Sequence, residues 1–85
     1  MGQSKGALNL KKHGVSFEEA VTALADPRAI EAADLVDPTR RIVIGYSALW
    51  RALFVIFTEV FAGGRIRIIS ARKATSAQRR KYEEG

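Results

Sequence analysis

The chain has 85 residues, a formal net charge of +5 and no cysteine, so we expect one small domain over residues 1–85, without disulfides or thiolate-bound metal. No apolar run reaches the roughly 18 residues of a transmembrane helix, and residues 1–14 lack the apolar core of a secretory signal. These features together predict a cytoplasmic protein that does not enter a membrane.

The charge is distributed unevenly along the chain. Residues 1–39 contain four basic and six acidic residues, a net charge of −2, whereas residues 40–85 contain ten basic and three acidic residues, a net charge of +7. A positive field of this kind attracts polyanions, among which nucleic acid is the first candidate. A membrane surface is less favoured, because the basic residues fall on predicted strands rather than along one amphipathic helix.

Two helices are predicted in the N-terminal part. The first, Lys5–Lys12, ends at His13–Gly14, because glycine readily adopts the left-handed conformation that stops a helix. The second, Ser16–Ala25, begins with a capping box of Ser16 and Glu19 and stops at Asp26–Pro27. Its apolar stripe is expected to lie in the core: Phe17, Ala20, Val21 and Leu24.

His13 is the only histidine of the chain, and it has two interpretations. Its charge complements the negative end of the first helix, which requires no chemistry. Alternatively, it is the one imidazole available for proton transfer at neutral pH. Both interpretations remain open from the sequence.

The rest of the chain predicts strands and a last helix. The acidic stretch Pro27–Thr39 is a predicted loop with one candidate strand at Ala29–Leu35, and Gly63–Gly64 is a hairpin signal. Three further strands are separated by short turns: Arg40–Ser47, Arg51–Phe61 and Arg65–Ala71. Short connections join antiparallel neighbours, so we expect a meander with Arg51–Phe61 in its centre. The last helix, Thr75–Glu84, has a capping box that includes Gln78.

The predicted central strand is apolar on both faces, with Phe54 and Ile56 on one face and Leu53, Val55 and Phe57 on the other. The N-terminal helices can cover one of these faces. The other requires the C-terminal helix, a partner protein or both. This pattern therefore predicts complex formation.

Glu59 introduces a carboxylate into this apolar strand, which is costly unless the charge is paired. The neighbouring strand with Arg65 and Arg67 can supply the partner. Glu59 is then either one half of a cross-strand ion pair or a general base.

The stretch Arg65–Lys73 has the alternating pattern of a half-buried strand, and the alternation breaks at Ile68–Ile69. Strict alternation would place Arg67 and Arg72 on opposite faces of the sheet. They can share a site only if the strand ends, bends or bulges around Ser70–Ala71. The stretch is either the substrate-binding surface or an edge strand that carries arginine for solubility.

The remaining motifs favour RNA chemistry without a cofactor. The sequence has no glycine-rich phosphate loop followed by a helix, no set of zinc ligands and no acidic cluster typical of two-metal sites. RNA carries its own nucleophile, the ribose 2′-hydroxyl, which basic residues and one proton acceptor can activate. The positive charge can come from Arg51, Arg67, Arg72 and Lys73. The candidate base is His13 or Glu59, and Tyr82 is a weaker candidate for the base.

Several blocks of the sequence are characteristic of one protein family. They include KHGVSF and IRIISARKAT, and they cover most of the chain: Asn9–Ala20, Asp26–Pro27, Ile66–Thr75 and Arg79–Glu83, with Arg51 and Thr58–Glu59. Together they resemble the BrnT toxins of BrnT/BrnA toxin–antitoxin modules.

The resemblance implies an α+β, RelE-like fold with two N-terminal helices, a three- to four-stranded antiparallel meander and a C-terminal helix. It implies a metal-independent endoribonuclease that cleaves mRNA, inhibits translation and forms a hetero-oligomer with a BrnA-type antitoxin. The resemblance supports eight site candidates without assigning their roles: Lys12, His13, Arg51, Glu59, Arg67, Arg72, Lys73 and Arg79. Our own prediction is that the catalytic residues are Lys12, His13, Arg51, Glu59 and Arg67. The predicted RNA- and phosphate-binding residues are Arg65, Arg72, Lys73 and Arg79.

The chain departs from the family pattern in three places. The Phe-x-Trp-Asp strand that opens the family, about four residues before the position of Lys5, is missing or unrecognisable, so one sheet edge is expected to be open or covered by another chain. Gln78 replaces a glutamate and Val60 replaces an arginine. The alternative function is therefore a catalytically impaired relative that binds RNA or the antitoxin.

Overall fold

Two helices, four strands and a third helix follow one another along the chain. The structure is a computed structural model, and it describes residues 5–60 and 65–84. Its elements are α1 Lys5–His13, α2 Phe17–Leu24, β1 Ile30–Ala33, β2 Arg40–Tyr46, β3 Ala52–Val60, β4 Arg65–Lys73 and α3 Ser76–Glu84. The predicted α+β class is confirmed, and the arrangement is compatible with the RelE-like fold. The predicted hairpin at Gly63–Gly64 lies outside the described residues.

The four strands form one antiparallel sheet in the order β1-β2-β3-β4. The candidate strand at Ala29–Leu35 is present as β1, which pairs with β2. Because β1 adds a fourth strand, β3 is one of two inner strands rather than the single centre. Strand β4 lies at an edge of the described sheet and continues two residues beyond the predicted Ala71.

The helix ends follow the capping signals of the sequence. Gly14 has a φ of +72°, and its N–H donates to the Leu10 carbonyl at 2.8 Å, so α1 stops where predicted. The Ser16 hydroxyl accepts the Glu19 N–H at 3.0 Å. In α3 the capping box is reciprocal, because the Gln78 side chain accepts the Thr75 N–H at 2.9 Å and Thr75 accepts the Gln78 N–H at 3.2 Å.

The core lies between the sheet and the two N-terminal helices. Leu53 and Val55 on β3 are fully buried there, and each such side chain stabilises the fold by about 2 kcal/mol. A Cβ at Gly45 would lie 2.6 Å from the Ala23 carbonyl oxygen, so only glycine allows α2 to approach β2 this closely. The buried positions of α2 are Ala20 and Ala23, and Val21 is 51% exposed, which contradicts the prediction that Val21 is core.

The other face of the sheet is only partly covered. Phe54 and Ile56 are half-buried on this face. Helix α3 covers one end, where the Tyr82 ring packs against the Tyr46 ring with centroids 5.2 Å apart. The predicted split of β3 into two apolar faces is therefore confirmed, and α3 covers part of the second face.

Candidate nucleic-acid interface

A bulge in β4 decides which arginines share a face. Ile56 of β3 pairs with Ser70, whereas the next residue, Phe57, pairs with Ile68, so Ile69 is an extra residue in β4. The bulge lies one residue before the predicted Ser70–Ala71 position. An extra residue reverses the alternation of side chains beyond it. An odd-numbered residue before the bulge therefore lies on the same face as an even-numbered residue after it.

As a result, Arg67 and Arg72 point to the same side of the sheet. Arg67 is opposite Thr58 and Arg72 is opposite Phe54, two residues that β3 presents on the face away from α1 and α2. Arg65 lies two residues before Arg67 and belongs to the same face. We call the surface formed by Arg65, Arg67 and Arg72 the arginine face.

The spacing on this face suits a chain of phosphates. Thr58 and Phe54 are four residues apart on β3, which corresponds to roughly 13 Å along the strand. This separation of their backbone positions allows Arg67 and Arg72 to contact different phosphates of one strand. Ser70 lies between them on the same face, opposite Ile56.

Arg72 is held by its neighbours. Its guanidinium carbon lies 4.2 Å from the centroid of the Phe54 ring, in cation–π geometry. One of its terminal nitrogens donates to the Gln78 side-chain oxygen and to the Lys73 carbonyl, each at 3.3 Å. Because Gln78 is neutral, it orients the guanidinium without neutralising its charge.

Lys12 and His13 lie beside the bulge. A cavity of about 230 Å³ is formed between the end of α1 and β4, and it is lined by Leu8, Asn9, Lys12, His13, Ile69 and Ser70. Because Ser70 belongs to both the cavity and the row between Arg67 and Arg72, Lys12 and His13 flank the arginine face. His13 is half-buried and Lys12 is exposed.

Asn9 holds α1 against the edge of β4. Its side-chain oxygen accepts the Ala71 N–H at 3.2 Å, and its amide donates to the carbonyls of Ala71 at 2.8 Å and Val15 at 2.7 Å. Asn9 is only 8% exposed. Sequence periodicity missed this role, since Asn9 was one polar position of a short helix and Ala71 is 62 residues away.

Arg51 is bound to the scaffold. Its guanidinium forms an ion pair with Glu19, with the Nε–Oε2 distance at 2.8 Å, and donates to the Gly14 carbonyl at 3.0 Å. Glu19 also accepts the Ser47 hydroxyl at 2.7 Å. The hydrogen bond from Arg51 holds the pKa of Glu19 below its usual value, and the bond to Glu19 raises the pKa of Arg51. Glu19 therefore turns to Arg51 instead of closing the predicted capping box.

Glu59 and Lys73 lie away from the arginine face. Glu59 forms its ion pair with Arg41 of β2, and not with Arg65 or Arg67 as expected. The register explains this difference, because Arg41 is opposite Phe57 and so shares the helix-covered side with Glu59. Lys73 is opposite Leu53 on that same side.

Tyr82 and Asp26 form a second buried contact. The Tyr82 hydroxyl donates to Asp26 Oδ2 at 2.6 Å, and this bond raises the pKa of Tyr82. Burial alone would raise the pKa of Asp26, but hydrogen bonds from Tyr82 and from the backbone N–H groups of Tyr46 and Arg28 outweigh it and lower the pKa. The hydroxyl proton of Tyr82 is therefore engaged in the bond to Asp26. Arg79, on the same helix α3, is exposed.

The nine predicted site residues thus separate into groups. The arginine face and its flank contain Arg65, Arg67, Arg72, Lys12 and His13. Arg51, Glu59 and Lys73 lie elsewhere, and Arg79 is on α3 one residue after Gln78. Across residues 5–60 and 65–84, no three histidine, aspartate or glutamate side chains cluster as metal ligands would. None of the described helices is long and apolar enough to cross a membrane.

The sequence matches the model of a known protein family. No curated protein matches the chain. The family model described as "Ribonuclease toxin, BrnT, of type II toxin-antitoxin system" matches residues 2–78, which is most of the sequence. The chain therefore belongs to the BrnT family of ribonuclease toxins of type II toxin–antitoxin systems.

Proposed function

We propose that this protein is a cytoplasmic toxin that cleaves mRNA without a metal ion, inhibits translation and is neutralised by a BrnA-type antitoxin. The observation that carries the proposal is the arginine face together with the cavity of Lys12 and His13, which adjoins the face at Ser70. Three guanidinium groups in a row bind phosphates well, and one adjacent imidazole can transfer a proton near neutral pH.

In this proposal the RNA supplies the nucleophile. The 2′-hydroxyl gives its proton to His13 and attacks the adjacent phosphorus, and the bond from phosphorus to the 5′-oxygen breaks. The products are a 2′,3′-cyclic phosphate and a 5′-hydroxyl. Arg67 neutralises the charge that develops on the phosphate oxygens, and the Lys12 ammonium donates the proton that turns the departing 5′-oxygen into a hydroxyl.

The other basic residues take supporting roles in the proposal. Arg65 and Arg72 bind the flanking phosphates and set the register of the RNA, and Arg79 extends this path onto α3. We assign Arg51 to the scaffold, because its Nε and one terminal nitrogen donate to Glu19 and to the Gly14 carbonyl. Glu59 is paired with Arg41 and Lys73 lies on the helix-covered side, so neither is given a catalytic role.

A cleavage assay tests the enzymatic proposal. The purified chain is incubated with a 5′-labelled RNA in the presence of EDTA, and the ends of the fragments are analysed. We expect cyclic phosphate ends and an unchanged rate with EDTA. His13→Ala should lower the rate about 100-fold, and Arg67→Ala should lower it far more than Arg80→Ala, which removes the same charge from the exposed surface of α3.

Three results would contradict parts of this proposal. Loss of cleavage with EDTA removes the metal-independent mechanism. Equal effects of the two arginine variants indicate diffuse electrostatics instead of a defined site. Intact RNA after incubation with a folded sample removes the enzymatic function altogether.

The second candidate function is RNA or antitoxin binding without catalysis. Gln78 favours it, because a neutral amide replaces the glutamate of the family pattern and accepts the hydrogen bond from Arg72 without adding a negative charge that would repel RNA. In that case RNA binding weakens steeply with salt while no cleavage occurs. Gln78→Glu distinguishes the two functions, since the catalytically impaired form gains cleavage and the active form does not.

The antitoxin is expected to cover the arginine face as well. The face combines basic side chains with the half-buried Phe54 and Ile56, and such a mixed surface suits an acidic, partly apolar protein segment. Addition of the antitoxin should therefore block RNA binding and cleavage together. Continued cleavage in the saturated complex would place the antitoxin elsewhere.

A further inference from the structure

We propose that a second cleft, at the β2–β3 turn, holds one unpaired nucleobase of the RNA, stacked against Trp50. The cleft has a volume of about 600 Å³ and lies between the end of α2, the turn and α3. Its lining combines aromatic, basic and acidic side chains: Asp26, Arg28, Tyr46, Trp50, Tyr82 and Glu83. This inference rests on the proposed function only in taking RNA as the ligand.

Trp50 is presented to solvent in an unusual backbone conformation. Its side chain is 84% exposed, and its φ is +59°, in the left-handed region that bulky residues avoid. The turn is fixed by hydrogen bonds from the Trp50 N–H to the Ser47 carbonyl and from the Ser47 N–H to the Arg51 carbonyl, both 2.9 Å. A strained, exposed indole on a fixed turn is a feature of binding sites rather than of a folded core.

The wall of the cleft opposite solvent is also fixed. The Tyr46 and Tyr82 rings are tilted by 52°, and the Tyr82 hydroxyl is bound to Asp26. Asp26 additionally accepts the backbone N–H groups of Tyr46 and Arg28, each at 2.9 Å. Its two oxygens are therefore engaged in these bonds, and the aromatic wall keeps its shape when a ligand enters.

The chemistry of the cleft favours a nucleobase over a protein side chain. Aromatic rings next to an arginine form the platform on which unpaired bases stack, whatever their sequence. The volume lies in the range of small-ligand sites. Arg28 is exposed at the rim, where it can meet a phosphate of the same nucleotide.

Helix α3 connects this cleft to the arginine face. Gln78 contacts Arg72 at one end, and Tyr82 lines the cleft one helical turn later. The two residues are four positions apart, which is about 6 Å along the axis. An RNA strand bound at Arg72 therefore has only a short path along α3 to the cleft.

Trp50 is the only tryptophan of the chain, so its fluorescence reports on the cleft directly. The wild-type chain is titrated with a single-stranded 2′-O-methyl RNA, which lacks the nucleophile and cannot be cleaved, and with inorganic polyphosphate as a charge control. We expect saturable quenching by the oligonucleotide and little by polyphosphate. Trp50→Gly, which suits the left-handed conformation, should weaken oligonucleotide binding about tenfold by fluorescence anisotropy.

Leu49→Ala is the matched control, because Leu49 is the exposed apolar neighbour outside the cleft lining. It should leave affinity within about twofold, as expected for a surface change away from the site. Absence of quenching, or equal affinity of Trp50→Gly and the wild type, overturns the inference. The inference is also overturned if Trp50→Gly binds RNA as the wild type does but no longer binds an acidic protein partner, because the cleft is then a protein-binding site.

The two proposals fail in different assays. If the wild type cleaves unmodified RNA but the oligonucleotide leaves Trp50 fluorescence unchanged, the cleft proposal is wrong and the nuclease proposal stands. If the oligonucleotide quenches Trp50 but unmodified RNA stays intact, the nuclease proposal is wrong and the cleft proposal stands.

Discussion

At the scale of single residues, the ion pair between Arg51 and Glu19 ties the β2–β3 turn to α2. The Glu19 side chain is only 5% exposed, whereas that of Arg51 is 32% exposed. Removal of Arg51 leaves a buried carboxylate with one remaining side-chain donor, Ser47, and an unpaired buried charge is strongly destabilising. The pair therefore contributes to folding, whichever role Arg51 has in catalysis.

We accordingly expect Arg51→Ala to lower the free energy of unfolding by about 3 kcal/mol. Urea denaturation followed by circular dichroism measures this, with Arg80→Ala as the control for removal of one surface charge. At low temperature, the folded fraction of Arg51→Ala should cleave RNA at the wild-type rate. If Arg51→Ala is as stable as the wild type but does not cleave RNA, Arg51 takes part in catalysis.

The contact between Tyr82 and Asp26 predicts how stability depends on pH. The pKa of Asp26 is lowered in the folded state, so its contribution is present above an unfolded pKa of about 3.9 and is lost as the pH falls. The pKa of Tyr82 is raised, so its contribution is complete below about pH 10 and is lost as the pH rises. Stability should therefore decline at both extremes.

Tyr82→Phe should remove about 2 kcal/mol near pH 7, the size of a hydrogen bond to a charged group. It should also reduce the decline in stability above pH 10, because the raised pKa of Tyr82 is then absent. Thermal unfolding monitored at acidic, neutral and alkaline pH measures both effects. An alkaline decline of the same size in the variant would assign that decline to other groups.

At the scale of elements, the bulge in β4 explains the break in the sequence pattern. Without Ile69, Ile68 and Ser70 would be consecutive, and every other pair of β4 with β3 would keep its present partner. Ile69 is therefore not needed for the arginine face itself. What it adds is one wall of the cavity that contains Lys12 and His13.

Deletion of Ile69 should consequently separate binding from cleavage. We expect RNA affinity within about threefold of the wild type, since the proposed phosphate contacts are retained. The cleavage rate should be at least about tenfold lower, since His13, the proposed proton acceptor, is displaced. Ile69→Val, which keeps the bulge, is the control for both measurements. If the deletion variant cleaves RNA at the wild-type rate, His13 is not the proton acceptor.

Much of this arrangement could be predicted from the sequence, because its signals are local. The caps at Ser16, Thr75 and Gly14 require only neighbouring residues, and the two apolar faces of β3 follow from alternation. The consecutive isoleucines Ile68 and Ile69 break the alternation of β4. This break predicted a bend or bulge around Ser70–Ala71, one residue from the bulge that the structure has at Ile69. Local patterns of this kind determine where elements begin, end and bend.

Contacts between distant elements could not be predicted in the same way. Asn9 recognises the edge of β4 through backbone groups, which leave no pattern of residue types. Glu59 had arginine neighbours on both adjacent strands, and only the register selects Arg41. The partner of Arg51 likewise depends on how α2 packs on the sheet. From the sequence alone, Glu19 is explained by the capping box of α2, and nothing indicates that it pairs with Arg51.

At the scale of the whole molecule, part of the positive charge of residues 40–85 is concentrated on one face of the sheet. This face contains Arg65, Arg67 and Arg72 of β4. Arg40 of β2 is opposite Thr58 and so belongs to the same face, where it is paired with Asp37 of the acidic stretch. A surface of this kind binds RNA by displacing counterions, so affinity should fall with salt in proportion to the phosphates that it neutralises.

The three arginines of the face contribute about −2 to the slope in a plot of log affinity against log salt concentration, and the proposed contacts at Arg79 and Arg28 add to it. The double variant Arg67→Ala/Arg72→Ala should make the slope shallower by about 1.4, because two phosphate contacts are lost. The matched control Arg80→Ala/Lys81→Ala removes the same net charge from α3 and should leave the slope near that of the wild type. Fluorescence anisotropy with the uncleavable 2′-O-methyl RNA at several salt concentrations measures all three. If both double variants reduce the slope equally, RNA is attracted by the net charge of the C-terminal half, and the arginine face has no defined role in binding.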